Sequence, residues 1–518
     1  VLRQERKAII LVPEISLTPQ TVARFAGRFP DRVAVLHSAL TDGERYDTWR
    51  RARAGLIDVV VGPRSALFAP LSPLGLIVLD EEHDDSYKQE APRPRYHARE
   101  AALELARLCD AKVILGSATP SLESYRRAEQ GEFTLREMPR RIMGHTRRLQ
   151  ELQARYHVAR TRYRSLDGEA TEAHYLPLPP VQIVDLRAEL RAGNRSIFSR
   201  ALQRVMDEAL SRGEQTILFL NRRGTATFVL CRDCGHVVRC PRCDLPLTYH
   251  GPGARLVCHH CNHREPQPQR CPACGGKRVR YFGLGTERVE QAVRARWPQA
   301  RLLRWDRDTA HTHEAHTNIL RRFANGAADV LVGTQMITKG LDLPLVTVVG
   351  VISADTALNL PDFRSGERTF QLLTQVAGRA GRGLLGGQVV IQTYHPDHYA
   401  VSAASEHDYE AFAEHELAFR REQGYPPYSR LVKLICEDRD HSRAQARAQQ
   451  LAKVLRDALA SDGLPVTNLM GPAPPFFARL RGRYRWQILL RHPAPPAFLA
   501  TVHIPAGWRV DVDPVSVL

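Results

Sequence analysis

Leu76-Ile77-Val78-Leu79 runs without a break into Asp80-Glu81-Glu82-His83. Four apolar residues followed at once by carboxylates describe a buried strand that ends at a polar site. At such a strand end Asp80 is placed to hold Mg2+ and Glu81 to polarise an attacking water, as nucleoside-triphosphate hydrolysis requires. Ordinary buried strands also end in surface carboxylates, so the stretch needs company. It has some: the next apolar run, Lys112-Val113-Ile114-Leu115, leads into Gly116-Ser117-Ala118-Thr119-Pro120. The hydroxyls of Ser117 and Thr119, with His83, suit coupling of a nucleotide site to a second lobe.

Further short apolar runs lie on both sides. Residues 8–12 and 58–61 join 76–79 and 112–115 in a first set, with a helical pattern over 98–109. A second set occupies 216–220, 329–333, 346–352 and 388–393. Buried strands alternating with helices predict parallel sheets covered on both faces, hence two α/β lobes. Between them, residues 139–180 are rich in Arg and polar residues and close on Pro177-Leu178-Pro179-Pro180. This stretch reads as a long connection, helical around 147–160. From about residue 400 the pattern changes to a helix over 409–422, a Tyr425-Pro426-Pro427-Tyr428 turn, and strands with a second helix over 441–461. That predicts a separate α+β domain. The expected division is a first lobe over 1–138, a connection over 139–185, a second lobe over 186–230 and 279–400, an insertion over 231–278, and a C-terminal domain over 401–518.

The insertion is the densest chemical signal. Eight of the ten cysteines form four Cys-x-x-Cys pairs: Cys231/Cys234, Cys240/Cys243, Cys258/Cys261 and Cys271/Cys274. Two residues between thiolates let one tight turn present both sulfurs to a metal at ~2.3 Å, and two such turns complete a tetrahedron. Four pairs therefore predict two structural Zn2+ ions with no open coordination position. Spacing alone leaves open which pairs share an ion. A disulfide scaffold fits poorly, since nothing suggests secretion and cytosolic thiols stay reduced. His236, His259, His260 and His263 are surplus to eight thiolates and are expected to face DNA or solvent. Cys109 and Cys436 stand alone and read as small buried hydrophobes.

A net charge of +17 favours a polyanionic partner, nucleic acid most simply. Arg-rich, Lys-poor usage is also what a GC-rich genome produces, so charge supports this reading without deciding it. No run of about 18 uncharged apolar residues occurs, which argues against a membrane helix. The opening Val1-Leu2-Arg3-Gln4-Glu5-Arg6-Lys7 lacks the apolar stretch of a secretory signal, so a cytoplasmic protein is expected.

In the second lobe, Gln375-Val376-Ala377-Gly378-Arg379-Ala380-Gly381-Arg382 supplies two arginines about one helical turn apart. Arg379 and Arg382 can act as arginine fingers on a γ-phosphate. These motifs in this order resemble the superfamily-two helicases, which implies two RecA-like lobes. A closer resemblance rests on Leu11-Val12-Pro13-Glu14-Ile15-Ser16-Leu17-Thr18, Tyr87-Lys88-Gln89, Tyr96-His97-Ala98-Arg99 and Asn221-Arg222-Arg223-Gly224. Gly333-Thr334-Gln335-Met336, Lys339-Gly340 and Gly482-Arg483-Tyr484-Arg485-Trp486 extend it. All of these resemble the PriA family of primosomal replication-restart helicases.

The resemblance implies an ATP- and Mg2+-dependent DNA motor that binds branched and single-stranded DNA at stalled forks. Implied partners are single-strand-binding protein, other primosome proteins and the machinery that loads the replicative helicase. It implies that Glu14, Tyr87, Lys88, Tyr96, Arg483 and Arg485 contact DNA, and that Gly340 and Gln375 take part in coupling. It also implies interleaved zinc sites: Cys231, Cys234, Cys271 and Cys274 around one ion, and Cys240, Cys243, Cys258 and Cys261 around the other. The sequence departs from the family at three places. Pro63 stands where Thr is usual, Leu341 where His is usual, and no G-x-x-x-x-G-K-[ST] phosphate loop occurs in the 518 residues. The expectation for the chain as written is weak ATP binding or none. Two readings follow: a helicase presented without its front end, or a non-catalytic primosome scaffold that binds DNA structures. A phosphate-loop frame upstream of the Val1 codon would favour the first.

Overall fold

The computed structural model describes residues 1–13, 25–37, 40–138, 142–145, 154, 164–165, 173–175, 178–221, 228–250, 255–282, 285–306, 308–310, 313–338, 343, 345–380 and 385–518. They fall into two compact units. The first comprises Val1–Leu135 with Arg430–Val432 and Val510–Val515; the second takes in the rest.

In the first unit, strands β1 (Lys7–Leu11), β2 (Val33–Val35), β3 (Val59–Gly62), β4 (Leu74–Asp80) and β5 (Lys112–Gly116) form one sheet. Its order is β2-β3-β1-β4-β5, and every pairing is parallel. The sequence explains why β1, β3 and β4 are central. Ile9, Leu11, Val60, Val61, Ile77 and Leu79 are all fully buried, as strands covered on both faces require. Helix α1 (Ala98–Cys109) covers one face through Ala98, Ala102 and Ala106, whose small side chains let it approach closely. Cys109 ends α1 exposed, not buried, because it falls on the solvent side of the last turn. Parallel strands end together, so β4 and β5 deliver Asp80 opposite Gly116. Helix α2 (Leu122–Glu129) follows β5 and is capped by Ser121.

Within 139–177 three short strands, β6 (Ile142–His145), β7 (Arg164–Ser165) and β8 (Ala173–Tyr175), make a small antiparallel sheet. Their alternation is too short to have been legible. The helix expected around 147–160 lies, apart from residue 154, outside the described residues.

The second unit contains a six-stranded parallel sheet. Its strands are β9 (Val181–Asp185), β10 (Gln215–Phe219), β16 (Leu302–Trp305), β17 (Val330–Gly333), β18 (Val346–Val351) and β19 (Gln388–Thr393), in order β16-β17-β10-β18-β19-β9. Helix α3 (Ser365–Ala380) packs against β18. Between β10 and β16 comes an antiparallel module of β11 (Phe228–Cys231), β12 (Thr248–His250), β13 (Arg255–Val257), β14 (Arg264–Pro266) and β15 (Val279–Phe282), ordered β14-β13-β12-β11-β15. Its core joins Val229, Val238, Leu247, Leu256 and Val279 to the cysteines. A core this small needs its metal as a staple.

The C-terminal domain carries helix α4 (Tyr409–Gln423), a helix over His441–Ser461, and strands β20 (Arg430–Asp438), β21 (Leu469–Ala473), β22 (Arg479–Leu480), β23 (Arg483–His492) and β24 (Trp508–Val512). Its sheet runs β21-β23-β20-β24, with β22 pairing β23. No described helix is long and apolar enough to cross a membrane.

Candidate nucleotide and zinc sites

The turn after β4 puts its four polar residues to different uses. Asp80 is exposed at the strand end. Glu81 takes a left-handed backbone (φ 49°), a conformation that costs a non-glycine residue about 1 kcal/mol or more. That kink turns its carboxylate out of the strand direction, and one oxygen is buried 3.7 Å from His83 Nδ1. The same His83 nitrogen lies 2.7 Å from the Ser117 hydroxyl, which in turn accepts from the Thr119 amide at 2.9 Å. The two motifs read from sequence therefore meet side chain to side chain. Thr119 is fully buried.

Glu82 does something the sequence reading missed. It is 1% exposed and accepts from the Ser121 amide (2.6 Å), the Ser124 hydroxyl (2.9 Å) and Arg99 (3.1 Å). Arg99 also donates to Ser121 and Ser124. This buried cluster ties the β4 turn to the start of α2 and to α1. The signal was present in Tyr96-His97-Ala98-Arg99 and Pro120-Ser121, but nothing local paired Arg99 with Glu82.

Tyr87 is fully buried and donates to the Asp80 carbonyl at 2.6 Å. Burial, then Asp80, Asp84 and their acidic neighbours, push its phenol well above the ordinary value, so it stays a donor. Lys88 is 4% exposed, pairs with Asp511 at 3.1 Å and donates to the Val512 carbonyl. Tyr96 is half-buried with its ring edge against Phe68. Tyr87 and Lys88, both expected to contact DNA, have their polar ends engaged inside the protein in this arrangement.

In the second unit Gln375 and Arg379 lie one turn apart on α3, and Arg379 is 6% exposed. The start of α3 is anchored by Arg420 of α4, fully buried, which pairs with Glu367 at 2.7 Å and Glu416 at 2.9 Å. Gln335 donates to Asn221 at 3.3 Å, joining two motif segments at the end of the sheet. Glu14, Gly340 and Arg382 lie outside the described residues, as do Arg222, Arg223, Gly224, Lys339 and Leu341.

The basic strand also divides. Arg483 is exposed, whereas Arg485 has an 11% exposed side chain paired with Glu437 at 3.3 Å. Arg481 and Gly482 both take left-handed backbone at the β22–β23 turn, the geometry of a tight two-residue hairpin.

The cysteines gather into two sets, Cys231/Cys234/Cys271/Cys274 and Cys240/Cys243/Cys258/Cys261, with each set's sulfurs within 4.8 Å of one another. Nearest sulfurs stand 3.6–3.7 Å apart, as in Cys240–Cys261 and Cys231–Cys274. A tetrahedron built on Zn–S bonds of ~2.3 Å has edges of ~3.8 Å, so the donor sets fit the ion. All four pairs use one turn. The amide three residues beyond the first cysteine's neighbour closes on that cysteine's carbonyl: Gly235 on Cys231, Asp244 on Cys240, Asn262 on Cys258, Gly275 on Cys271. Each closing residue has positive φ. Asp244 and Asn262 are of the non-glycine types that best tolerate that conformation. Gly235 is further constrained, since a Cβ there would lie 2.6 Å from the Tyr394 carbonyl.

Burial pushes the Cys234 and Cys240 thiols up to about 12, so without metal they hold protons. His259 and His260 are each 2% exposed, which corrects the expectation that they face DNA or solvent. His259 packs edge-on against Phe476 and lies 2.9 Å from the Pro474 carbonyl. His236 and His263 are half-buried. Cys436 is buried as expected.

Comparison with known proteins decides what these sites belong to. The PriA DNA helicase Cys-rich region matches residues 240–266, and the primosomal protein N C-terminal domain matches 421–515. A DEAD/DEAH box helicase domain matches 1–128 and a helicase conserved C-terminal domain 276–383. The replication restart protein PriA of Treponema pallidum is 39% identical over 100% of this chain and 74% of its own length. The chain belongs to the PriA family. The Bacillus subtilis relative is 47% identical over 95% of this chain, and the Synechocystis relative 47% over 100%. The chain spans 57% and 60% of those two PriA proteins. Among solved structures, RecG bound to a three-way DNA junction superposes with a TM-score of 0.39 at 15% identity, covering 80% of this chain and 40% of that one. That likeness is too loose to bear on function. The two four-cysteine sets support two structural zinc ions, and the inner set, Cys240/Cys243/Cys258/Cys261, falls within the residues that match the PriA Cys-rich region.

Proposed function

We propose that the protein is an ATP-driven DNA motor of replication restart, which recognises branched and single-stranded DNA at stalled forks and promotes reloading of the replicative helicase. The observation that carries this is the His83–Ser117 contact joining the carboxylate turn to the Ser-Ala-Thr segment, in a chain of the PriA family. In this reading Asp80 holds Mg2+, Glu81 polarises the attacking water, and Arg379 and Arg382 stabilise charge on the γ-phosphate. His83, Ser117, Thr119, Gly340 and Gln375 couple hydrolysis to movement. Glu14, Tyr87, Lys88, Tyr96, Arg483 and Arg485 are the DNA contacts in this reading, and single-strand-binding protein and other primosome proteins are the partners, in the cytoplasm. The chain then divides as the sequence suggests, into two lobes, a zinc insertion in the second, and a C-terminal domain.

The test is ATP hydrolysis by the full gene product with and without forked DNA. Stimulation by the fork, abolished by Asp80→Asn, is the expected result. Fork binding with no hydrolysis under any condition would replace the motor with a non-catalytic scaffold.

A further inference from the structure

The loop that follows the carboxylate turn is held at both ends of its first segment. Asp84 caps a short turn at Asp85–Tyr87 by accepting from the Ser86 amide. Tyr87 then reaches back to the Asp80 carbonyl, 2.6 Å away. Its neighbour Lys88 reaches out instead, pairing with Asp511 at 3.1 Å and donating to the Val512 carbonyl at 2.6 Å. Arg95 donates to the Val510 carbonyl at 3.0 Å. Two cations of one loop thus engage three successive residues at the end of β24. Arg64 braces the loop from behind through the carbonyls of Ser86 and Lys88. Beyond β24, the Asp513 amide donates to Leu431, and Arg430 pairs with Asp513. All of these residues belong to the first unit.

The chemistry of the pair is informative. The Lys88 and Asp511 side chains are 3% and 10% exposed. A buried ion pair gives little net stability, because desolvation offsets the attraction, and an apolar pair would serve a merely adhesive purpose as well. What a buried pair adds is a fixed register, since sliding by one residue leaves both charges unpaired. Here the register being fixed is that of a loop whose preceding residue is hydrogen-bonded to the backbone of Asp80.

We propose that Lys88 and Asp511 are positioning residues of the nucleotide site: the Val510–Asp513 segment sets the loop after the carboxylate turn, and Tyr87 passes that setting to Asp80. The inference rests on the nucleotide-site reading above. It gives the C-terminal domain's last strand a part in placing a carboxylate that the sequence motifs assign to the first lobe alone.

Asp511→Asn and Lys88→Met, made in the full-length protein, test it by two readouts. Amide hydrogen exchange is followed at 81–84, at 85–97 and on β1 and β3. ATP hydrolysis is measured at saturating forked DNA. Both variants are expected to exchange faster at 81–84 and 85–97 with β1 and β3 unchanged. They should also lower kcat about tenfold while KM for ATP stays within about twofold, as a displaced catalytic group would. The exchanged pair, Lys88→Asp with Asp511→Lys, should recover part of both. Unchanged exchange at 81–84, or loss of protection across the whole first unit, overturns the positioning role. Altered exchange at 81–84 in a protein that hydrolyses no ATP upholds the positioning and defeats the motor reading instead.

Discussion

His83 Nδ1 and the Ser117 hydroxyl stand 2.7 Å apart, 34 positions apart in sequence. Ser117 also accepts from the Thr119 amide, so its hydroxyl has one defined orientation toward the imidazole. Ser117→Ala removes that link while leaving Asp80 and the β4–β5 pairing in place. The expected outcome is a loss of about fivefold in fork-stimulated ATP hydrolysis, the rate equivalent of ~1 kcal/mol for one hydrogen bond. Nucleotide affinity should be unchanged. Steady-state hydrolysis and equilibrium titration with a fluorescent ATP analogue check the two halves.

Glu82 lies beside the motor carboxylates but is committed to structure. Glu82→Ala leaves the buried Arg99 with only the half-exposed Glu100 as a carboxylate partner and strips the Ser121 amide and Ser124 hydroxyl of their Glu82 acceptor. Breaking one side of a buried pair costs about 3–5 kcal/mol. The first unit should therefore unfold at markedly lower urea, whereas Glu81→Ala should leave its midpoint nearly unchanged. Equal midpoints for the two variants would assign Glu82 to chemistry.

Those two neighbours also show what the sequence could and could not tell. Leu76–His83 announced a strand and a site because both are written in consecutive letters. The four cysteine turns were legible for the same reason, as were the helices 98–109 and 441–461 from their periodicity. Partners distant along the chain left no local trace. Arg99 does not name Glu82, and Lys88 does not name Val512, which is 424 positions away. The local sequence around Arg99 and Lys88 shows a cation and an aromatic neighbour but not the distant carboxylates, Glu82 and Asp511, that pair with them. His259 and His260 left no local trace either: polar letters beside ligands are expected outside, but both are buried, His259 against Phe476 and the Pro474 carbonyl of the C-terminal segment.

Acid should weaken the second unit through His398. Its Nδ1 accepts from the Ala400 amide, and burial, with His395 and Arg239 nearby, lowers its pKa to about 4. An unfolded histidine titrates near ~6.5, so the unfolded chain gains the proton first. The stability involved is fully present above about pH 6.5 and is lost as pH falls toward 4, by about 2 kcal/mol between pH 7 and 5. His398→Asn keeps a side-chain acceptor for the cap and cannot titrate. Urea midpoints of the wild type should fall further between pH 7 and 5 than those of the variant. An equal fall in both would place the acid sensitivity elsewhere.

The zinc sites make the sharpest stoichiometric prediction. Elemental analysis of the purified protein should find two zinc ions per chain, one for each set of four sulfurs. Because burial raises the Cys234 and Cys240 thiols, metal binding must displace their protons, so affinity falls as pH falls. Competition with a chromophoric chelator at pH 7.5 and pH 6, values chosen to bracket about neutrality, should show weaker retention at the lower pH. Cys240→Ser removes one ligand from a core in which cysteines replace much of the missing apolar volume. The insertion should lose its amide protection and the zinc content drop to one or none. Strands β10, β17 and β18, fully buried in their own sheet, should stay protected. If they lose protection too, the module is part of the second lobe's core rather than an insertion carried by it.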